Sequence, residues 1–359
     1  MNPFLWALLL AGIENFVLLN TVLSAAVFLM VALGRVTGWL KTRHPLTQAQ
    51  VYAGAIVFPT LVSGWLVLAS LLPAGWMNRP DWVIHHEDPH TLHLLNALTF
   101  GVDPALEYFT FLFLVGTGLA VWLAAARAFV QIGMLVRCLE IGGDPVPSEQ
   151  IEQVKETCRA YGMGVGLVYS GRPFSFVWGY LRSKLIVSTG LLNTLTEAEL
   201  TALLEHEAAH HQRRDNLLKG VLTACRYTSP AFPLTNLIYG WWSHAVEMVC
   251  DEAAAGWTHP LDVAEALVKI KRLAGRPLGR APIVHSAFFG ENTQALEDRI
   301  RHLVGLLDLP KPTPRTQLLK SWTGTAWWLS AAGGILLLAV FAVAPLSIHR
   351  LLEQFLHRF

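Results

Sequence analysis

The sequence predicts a mostly helical membrane protein, with four transmembrane helices and an α+β domain inserted between the third and the fourth. Of the 359 residues, 53% are hydrophobic and 15% are charged, and the mean hydropathy is +0.41, an apolar excess over ordinary soluble domains. The apolar residues fall in four runs, each close to the roughly 20 residues that cross a hydrocarbon core. These runs cover residues 4–33, 52–72, 106–126 and 327–344.

The first run differs from the others because it contains Glu14. An ionisable side chain at membrane depth is a functional candidate, whereas one near the outer interface would carry little meaning. The sequence leaves both interpretations open. No basic segment precedes the run, which favours a retained anchor over a cleaved signal peptide.

Basic residues predict the orientation of the spans. The loop after the first run contains Arg35, Lys41 and Arg43 without an acidic residue, whereas the loop after the second run is acidic. Under the positive-inside rule, the amino terminus lies outside, whereas the first loop and the region 127–320 lie in the cytoplasm. The expected organisation is a three-helix membrane region (1–126), a cytoplasmic domain (127–320), a fourth span (321–346) and a short outer tail (347–359).

The chemistry of the inserted domain centres on His206, Glu207 and His210, which form an H-E-x-x-H pattern. On a helix, positions i and i+4 share one face, so both imidazoles can bind one metal ion. Glu207 stands next to the first histidine, where it can act as general base on an attacking water. The alternative is a chance match, with two ordinary polar histidines on an amphipathic helix.

The flanking residues support a helix at this position. Thr196 and Glu199 have the spacing of a capping box, which marks the start of a helix. Leu200, Leu203 and Leu204 then supply an apolar stripe at helical spacing. The geometry that the histidine pair requires is therefore expected to form.

A second acidic pair, Glu247 and Asp251, follows further along the chain, again four residues apart. Glu247 is the expected third ligand, because three protein ligands and one open position are typical of a catalytic zinc site. One Zn²⁺ per chain is therefore expected. Asp251 is expected to hold a ligand histidine through its second ring nitrogen. The alternative for this pair is a solvated helix face. Cys250 lies between the two acids, but it is expected to point to another face and receives no metal role.

A catalytic zinc site is expected to include a hydrogen-bond donor that stabilises the negatively charged oxygen of the transition state. His244, Tyr180 and Arg182 are candidates for this donor, and the sequence does not choose among them. A strand-like segment before the motif helix is either an edge to which an extended substrate could add or a plain interior strand. It comprises Leu185, Ile186, Val187 and Ser188.

The residues after the motif are expected to be structural. Arg213, Arg214 and Asp215 close the helix, where the two cations interact favourably with the helix dipole. Asp215 could instead orient a metal ligand or form a buried pair with one of the arginines. The apolar stretch 217–242 is too short for two membrane crossings, and a single crossing would separate the ligands. We therefore expect a pair of core helices there, which could rest on the bilayer surface.

These motifs resemble the gluzincin metallopeptidases of membranes, in particular the HtpX-type quality-control peptidases and the BlaR/MecR-type signal-transducing peptidases. The resemblance extends to residues 170–176, 185–188, 211–216 and 296–303. It implies a zinc peptidase domain over about residues 135–310. Three spans before this domain and one after it resemble the BlaR/MecR topology. The penicillin-binding sensor domain of antibiotic-sensing members is not expected, because the sequence after the last run is too short for it.

The resemblance implies a zinc endopeptidase of the bacterial inner membrane that cleaves a protein or peptide substrate, with a cytoplasmic repressor or a membrane protein as candidates. HtpX-like quality control is the alternative activity. A non-catalytic sensor or scaffold that retains a zinc site is the alternative from another class. Glu207 argues against the scaffold, because a structural zinc needs no general base. The net charge of +1 without a basic run argues against direct binding of nucleic acid.

Two smaller features complete the prediction. The four cysteines form no C-x-x-C pair, which favours free thiols in a reducing compartment. The acidic loop is rich in histidine, which could bind a transition metal or simply be solvated. The histidines of this loop are His85, His86, His90 and His93.

Overall fold

The structure, a computed structural model, describes residues 3–71, 116, 148–171, 173–179, 183–274 and 293–307. The third and fourth predicted spans, the histidine-rich loop, the side chain of Glu14, Tyr180 and Arg182 lie outside what it describes. The described residues are mostly helical, as predicted. They form α1 (Pro3–Val36), α2 (Pro45–Leu71), α3 (Ser148–Ala160), β1 (Gly164–Val168), β2 (Ser175–Trp178), β3 (Lys184–Ser188), α4 (Thr189–Leu192), α5 (Glu197–Arg213), α6 (Asp215–Tyr227), α7 (Phe232–Trp257), α8 (Pro260–Ala274) and α9 (Thr293–Gly305).

Among the described residues, one helix is long and apolar enough to cross a membrane by length and composition, namely α1 over Phe16–Val36. Only 28% of its most apolar stretch is buried inside the protein, whereas a core helix of a soluble protein would be mostly covered. The second predicted span, 52–72, coincides with the helical residues of α2. This helix packs against α1 and α7, with Tyr52 and Ile56 buried between them.

The three strands form one sheet in the order β1–β3–β2. β3 is parallel to β1 and antiparallel to β2. The strand-like segment before the motif helix is therefore the central strand of a three-stranded sheet. Of the two interpretations of this segment, the interior strand is correct and the substrate edge is wrong. Leu185, Ile186, Val187 and Ser188 belong to the central strand, which is paired on both sides. Alternating burial shows which face of a strand meets the core, but it does not reveal the strand's neighbours.

The motif helix α5 begins with the predicted capping box. The hydroxyl of Thr196 accepts a hydrogen bond from the amide of Glu199, and the Glu199 carboxylate accepts one from the amide of Thr196. Such a cap contributes about 1 kcal/mol to the stability of the helix. Leu200, Leu203 and Leu204 are fully buried in the core between α5 and the sheet. This burial fixes the face on which the histidine pair lies.

The apolar stretch after the motif forms two helices, as predicted. α6 ends at Tyr227, and α7 begins at Phe232 and continues without a break through Glu247 to Trp257. Trp242 and Ile238 of α7 are buried in a second core, where α1, α2, α6 and α7 meet. The helix that supplies the second acidic pair is thus anchored at its start by α1 and α2 and at its end by the core next to the sheet.

Candidate active site

His206 and His210 lie one turn apart on α5 and face the same interior point. Both side chains are buried, and their Nε2 atoms are 3.2 Å apart. Two imidazole nitrogens this close form no useful hydrogen bond unless one of them carries a proton. Their approach is the arrangement expected of two ligands that share one cation.

Glu247 completes the group from α7. Its Oε2 lies 3.4 Å from His206 Nε2, and its Oε1 lies 3.6 Å from His210 Nε2. Two ligands of a tetrahedral zinc ion bonded at about 2.0 Å stand roughly 3.3 Å apart, so the three residues fit that ion. The buried Glu247 Oε2 makes no hydrogen bond within the described residues, which is costly unless a cation compensates it.

Glu207 follows the first histidine and points toward β2. Its carboxylate is buried, and Oε1 accepts a hydrogen bond from the hydroxyl of Ser175 at 3.2 Å. Ser175 opens the edge strand, so this contact connects the expected general base to the sheet. Spacing along the chain could not predict this contact, because Ser175 lies 32 residues before Glu207.

Asp251 lies behind His206, as predicted for a residue that orients a ligand. Its Oδ1 is 3.0 Å from His206 Nδ1. Arg299 of α9 holds the other side of Asp251 with Nε and Nη2 donating at 2.6 and 2.7 Å. The same guanidinium lies 3.5 Å from Glu247 Oε2. Arg299 is therefore a structural partner of both acids. The sequence signal for this role is limited to helical spacing, which places Arg299 on the same helix face as Leu296 and Leu303.

Asp215 orients the second histidine, which is one of the alternatives that the sequence left open for this residue. Its Oδ2 lies 2.8 Å from His210 Nδ1, and Arg213 Nε donates to both of its oxygens at 3.3 Å. The cause is the helix break at Arg214, which adopts a left-handed φ of 54°. This break turns the first residue of α6 back toward the end of α5.

Cys250 also contacts the site, so the expectation that it points elsewhere is wrong. Three positions along a helix from Glu247, it lies on nearly the same face, and its Sγ is 3.4 Å from His210 Nδ1. His210, Asp215 and Cys250 could by distance hold a cation themselves. However, Arg213 already neutralises Asp215, and burial raises the pKa of the Cys250 thiol, which makes it a poor ligand. The group of His206, His210 and Glu247 is the better metal site.

The charged side chains of the site are buried, and groups of opposite charge lie next to one another. Burial alone would raise the pKa of Glu247, but the two histidines and Arg299 hold it well below its usual range. Burial likewise lowers the pKa of His206 and His210, yet the surrounding anionic groups outweigh burial and raise both values. Protons therefore compete with a metal ion for these imidazoles.

Of the three candidates for the oxyanion donor, the structure describes one. His244 lies on α7 one turn before Glu247 and is half-buried. Tyr180 and Arg182 fall outside the described residues. Because β3 is an interior strand, the edge available to a substrate near Glu207 is that of β2, which pairs with β3 on one side only among the described strands.

The region that holds this group matches a known protein family. Residues 164–306 match the model of Peptidase family M48. The match supports a metallopeptidase of the M48 type, and metal dependence follows from the family. All the residues assembled above, from Ser175 to Arg299, lie within it.

Similar proteins point in the same direction. Proteins described as "Protease HtpX homolog" in Bordetella pertussis (strain Tohama I) and Bordetella parapertussis (strain 12822) are each 43% identical over 61 residues. That segment is 15% of this chain and 21% of each relative, so the chain spans about a fifth of the length of the curated relatives it matches. The HtpX-type relationship expected from the motifs is thereby supported.

Proposed function

We propose that this protein is an integral-membrane zinc endopeptidase that hydrolyses peptide bonds of a cytoplasmic or membrane protein in regulated proteolysis. The observation that supports this most strongly is the convergence of three buried ligand atoms beside a buried carboxylate. His206, His210 and Glu247 would hold one zinc ion, with Asp251 and Asp215 fixing the two imidazoles. When bound, zinc would polarise the scissile carbonyl and acidify the attacking water.

Glu207 would carry the proton in this reaction. Its carboxylate takes the proton of the attacking water and passes it to the leaving amine, which is the role of a general base followed by a general acid. The hydrogen bond from Ser175 holds Oε1 in place, so the other oxygen remains available for the transferred proton. The burial of Glu207 keeps bulk water away from this step.

The substrate would bind as an extended strand along the free edge of β2. Asn216, the second residue of α6, donates from its side-chain amide to the carbonyl oxygens of Val177 and Gly179 at 2.8 and 3.2 Å. These bonds fix the far end of β2 against the helix that follows the site. The near end, at Ser175, then stays next to Glu207.

The location in a membrane is proposed from the four apolar runs of the sequence and from the length and apolar composition of α1. The proposed topology has four spans, an outer amino terminus and the peptidase domain (127–320) in the cytoplasm of a bacterial cell, as in BlaR/MecR-type peptidases. A cytoplasmic repressor is a candidate substrate within this type. The HtpX homologues among the similar proteins favour membrane-protein quality control as the second candidate function. One preferred cleavage site would support signalling, and broad cleavage of unfolded proteins would support quality control.

The test compares Glu207→Gln with Glu205→Gln, the same chemical change two residues earlier on α5, where the side chain faces Tyr161 instead. Both variants and the wild type are purified in detergent, and zinc content and cleavage of an unstructured reporter are measured. We expect about one zinc per chain in all three, with cleavage lost only in Glu207→Gln. Zinc without cleavage in the wild type and both variants would contradict the catalytic proposal, and absence of zinc would contradict the metal site.

A further inference from the structure

The turn between α6 and α7 is hydrogen-bonded to the middle of α1. Asn20 donates from its side-chain amide to the carbonyl of Thr228 at 3.2 Å, and the hydroxyls of Ser24 and Ser229 are 3.1 Å apart. Asn20 and Ser24 are buried polar residues inside the apolar stretch of α1. Hydrocarbon offers such groups no partner, so interhelical hydrogen bonds of this kind are typical of helices that associate within a membrane.

These contacts define a depth for the turn. Asn20 lies 16 residues before the end of α1 at Val36, which corresponds to about 24 Å of helix. α6 has 13 residues and is about 20 Å long. The turn is therefore separated from the candidate active site by most of the thickness of a bilayer if α1 crosses one.

The middle of α7 marks the opposite level. The guanidinium of Arg35 stacks over Trp241 of α7 at 4.4 Å and hydrogen-bonds the hydroxyl of Tyr52. Arginine and tryptophan near the end of an apolar helix are typical of the membrane–water interface. Glu247 lies six residues beyond Trp241, about 9 Å further along the helix. The catalytic group is thus placed just outside that interface.

The outer surfaces of α6 and α7 are apolar at the same levels. Val221 and Leu237 are 43% and 51% exposed. They continue the apolar outer surface of α1 and α2, where Leu29 and Leu61 are 66% and 63% exposed. Leucine and valine side chains are thus exposed on four neighbouring helices, and exposed apolar side chains that lie together mark a surface that contacts a membrane or another protein.

The few charged residues of α6 and of the first half of α7 are compatible with an apolar environment. No acidic residue occurs between Asp215 and Glu247. The charge of Lys219 interacts with these two acids at the site. The guanidinium of Arg226, close to the turn, bonds the Asn236 side chain at 2.9 Å. It also lies over three aromatic rings, which shield a cation in apolar surroundings. These rings belong to Tyr227, Phe232 and Tyr239.

From these observations we propose that α6 and the first half of α7 form a re-entrant hairpin, inserted into the acyl chains of the bilayer from the side of the active site and turning at residues 228–231. The proposal rests on the membrane location proposed for α1. A hairpin explains how the apolar stretch 217–242, which is too short for two crossings, can enter the membrane while the zinc ligands before and after it meet on one side. It also places the active site at the membrane surface, within reach of the segment of a membrane protein next to the bilayer.

The test uses single cysteines at matched, exposed apolar positions of the full chain. Val221→Cys and Leu237→Cys probe the hairpin, Leu29→Cys probes α1, and Val304→Cys on α9 is the control. Cys138 and Cys225 are replaced by serine, while the buried Cys158 and Cys250 remain. Each protein is labelled with an environment-sensitive NBD dye in phosphatidylcholine vesicles and exposed to nitroxide-labelled acyl chains or to iodide.

We expect nitroxide lipids to quench the labels on the hairpin and on α1 several-fold more than the label at Val304, and iodide to show the reverse. Hairpin labels that behave like Val304 while Leu29 remains in lipid would overturn the hairpin and leave the membrane location intact. Iodide quenching of Leu29 as well would overturn the membrane location itself. Leu217→Cys and Phe232→Cys, on the same two helices, provide a second pair if a first variant fails to fold.

Discussion

Replacement of Arg299 by methionine removes the one guanidinium that bridges Asp251 and Glu247. Arg299 is fully buried, donates to Asp251 at 2.6 and 2.7 Å and lies 3.5 Å from Glu247. Its removal leaves two buried carboxylates without their cation, and breaking a buried ion pair in this way costs about 3–5 kcal/mol. For a domain of 150–250 residues, this corresponds to a fall in Tm of roughly 6–20 °C.

The assay is thermal unfolding of the zinc-free protein in detergent, followed by tryptophan fluorescence, so that loss of metal binding does not contribute. Arg301→Met is the matched control on the same helix. Arg301 is 78% exposed and reaches Asp298 only at 3.4 Å, so its replacement should change the free energy of unfolding by less than about 1 kcal/mol. Equal Tm values for the two variants would refute the assignment of Arg299 as the partner of the buried acids.

Three further outcomes are expected. Asp251→Asn should weaken zinc binding by roughly 10–100-fold, measured by competition with a chelator, because His206 loses the negatively charged partner that orients it and raises its basicity; unchanged affinity would contradict that role. The pKa values of His206 and His210 are raised in the metal-free site, so zinc affinity should already fall as the pH drops from about 8 to about 6.5, since both imidazoles must lose their protons to bind. Equilibrium dialysis that shows no pH dependence over this range would argue against these ligands. Burial raises the pKa of Glu205 from 4.5 to about 7, so the folded state favours the protonated acid and loses stability as the pH rises through this window. Glu205→Gln should therefore raise Tm at pH 8 but not at pH 4, and a rise of equal size at both pH values would show that the carboxylate is not the cause.

The local features of the site could be predicted from the sequence, because they depend on helical spacing. His206 and His210 share a face at i and i+4, and the capping box at Thr196 and Glu199 forms as the pattern indicates. The position of Cys250 could also have been predicted, since a residue three positions from Glu247 lies on nearly the same face. Its contact with His210 at 3.4 Å contradicts the expectation that the thiol points to another face of the helix.

The long-range features could not be predicted in this way. The contact of Asp215 with His210 depends on a left-handed conformation at Arg214. Residues other than glycine rarely adopt this conformation, so it could not be predicted from the residue type. The central place of β3 depends on strand neighbours that its own pattern does not specify. Arg299 differs from Arg301 only in the helix face it occupies, so its burial follows from the packing of α9.

The most direct test of the metal site is zinc K-edge X-ray absorption on the purified protein, because it identifies the atoms bonded to the ion. The structure predicts one zinc per chain with two imidazole nitrogens and carboxylate or water oxygens at about 2.0–2.1 Å, and no sulfur. A sulfur atom at about 2.3 Å would place the ion at His210, Asp215 and Cys250 instead. That result would contradict the assignment of His206, His210 and Glu247 as the zinc ligands.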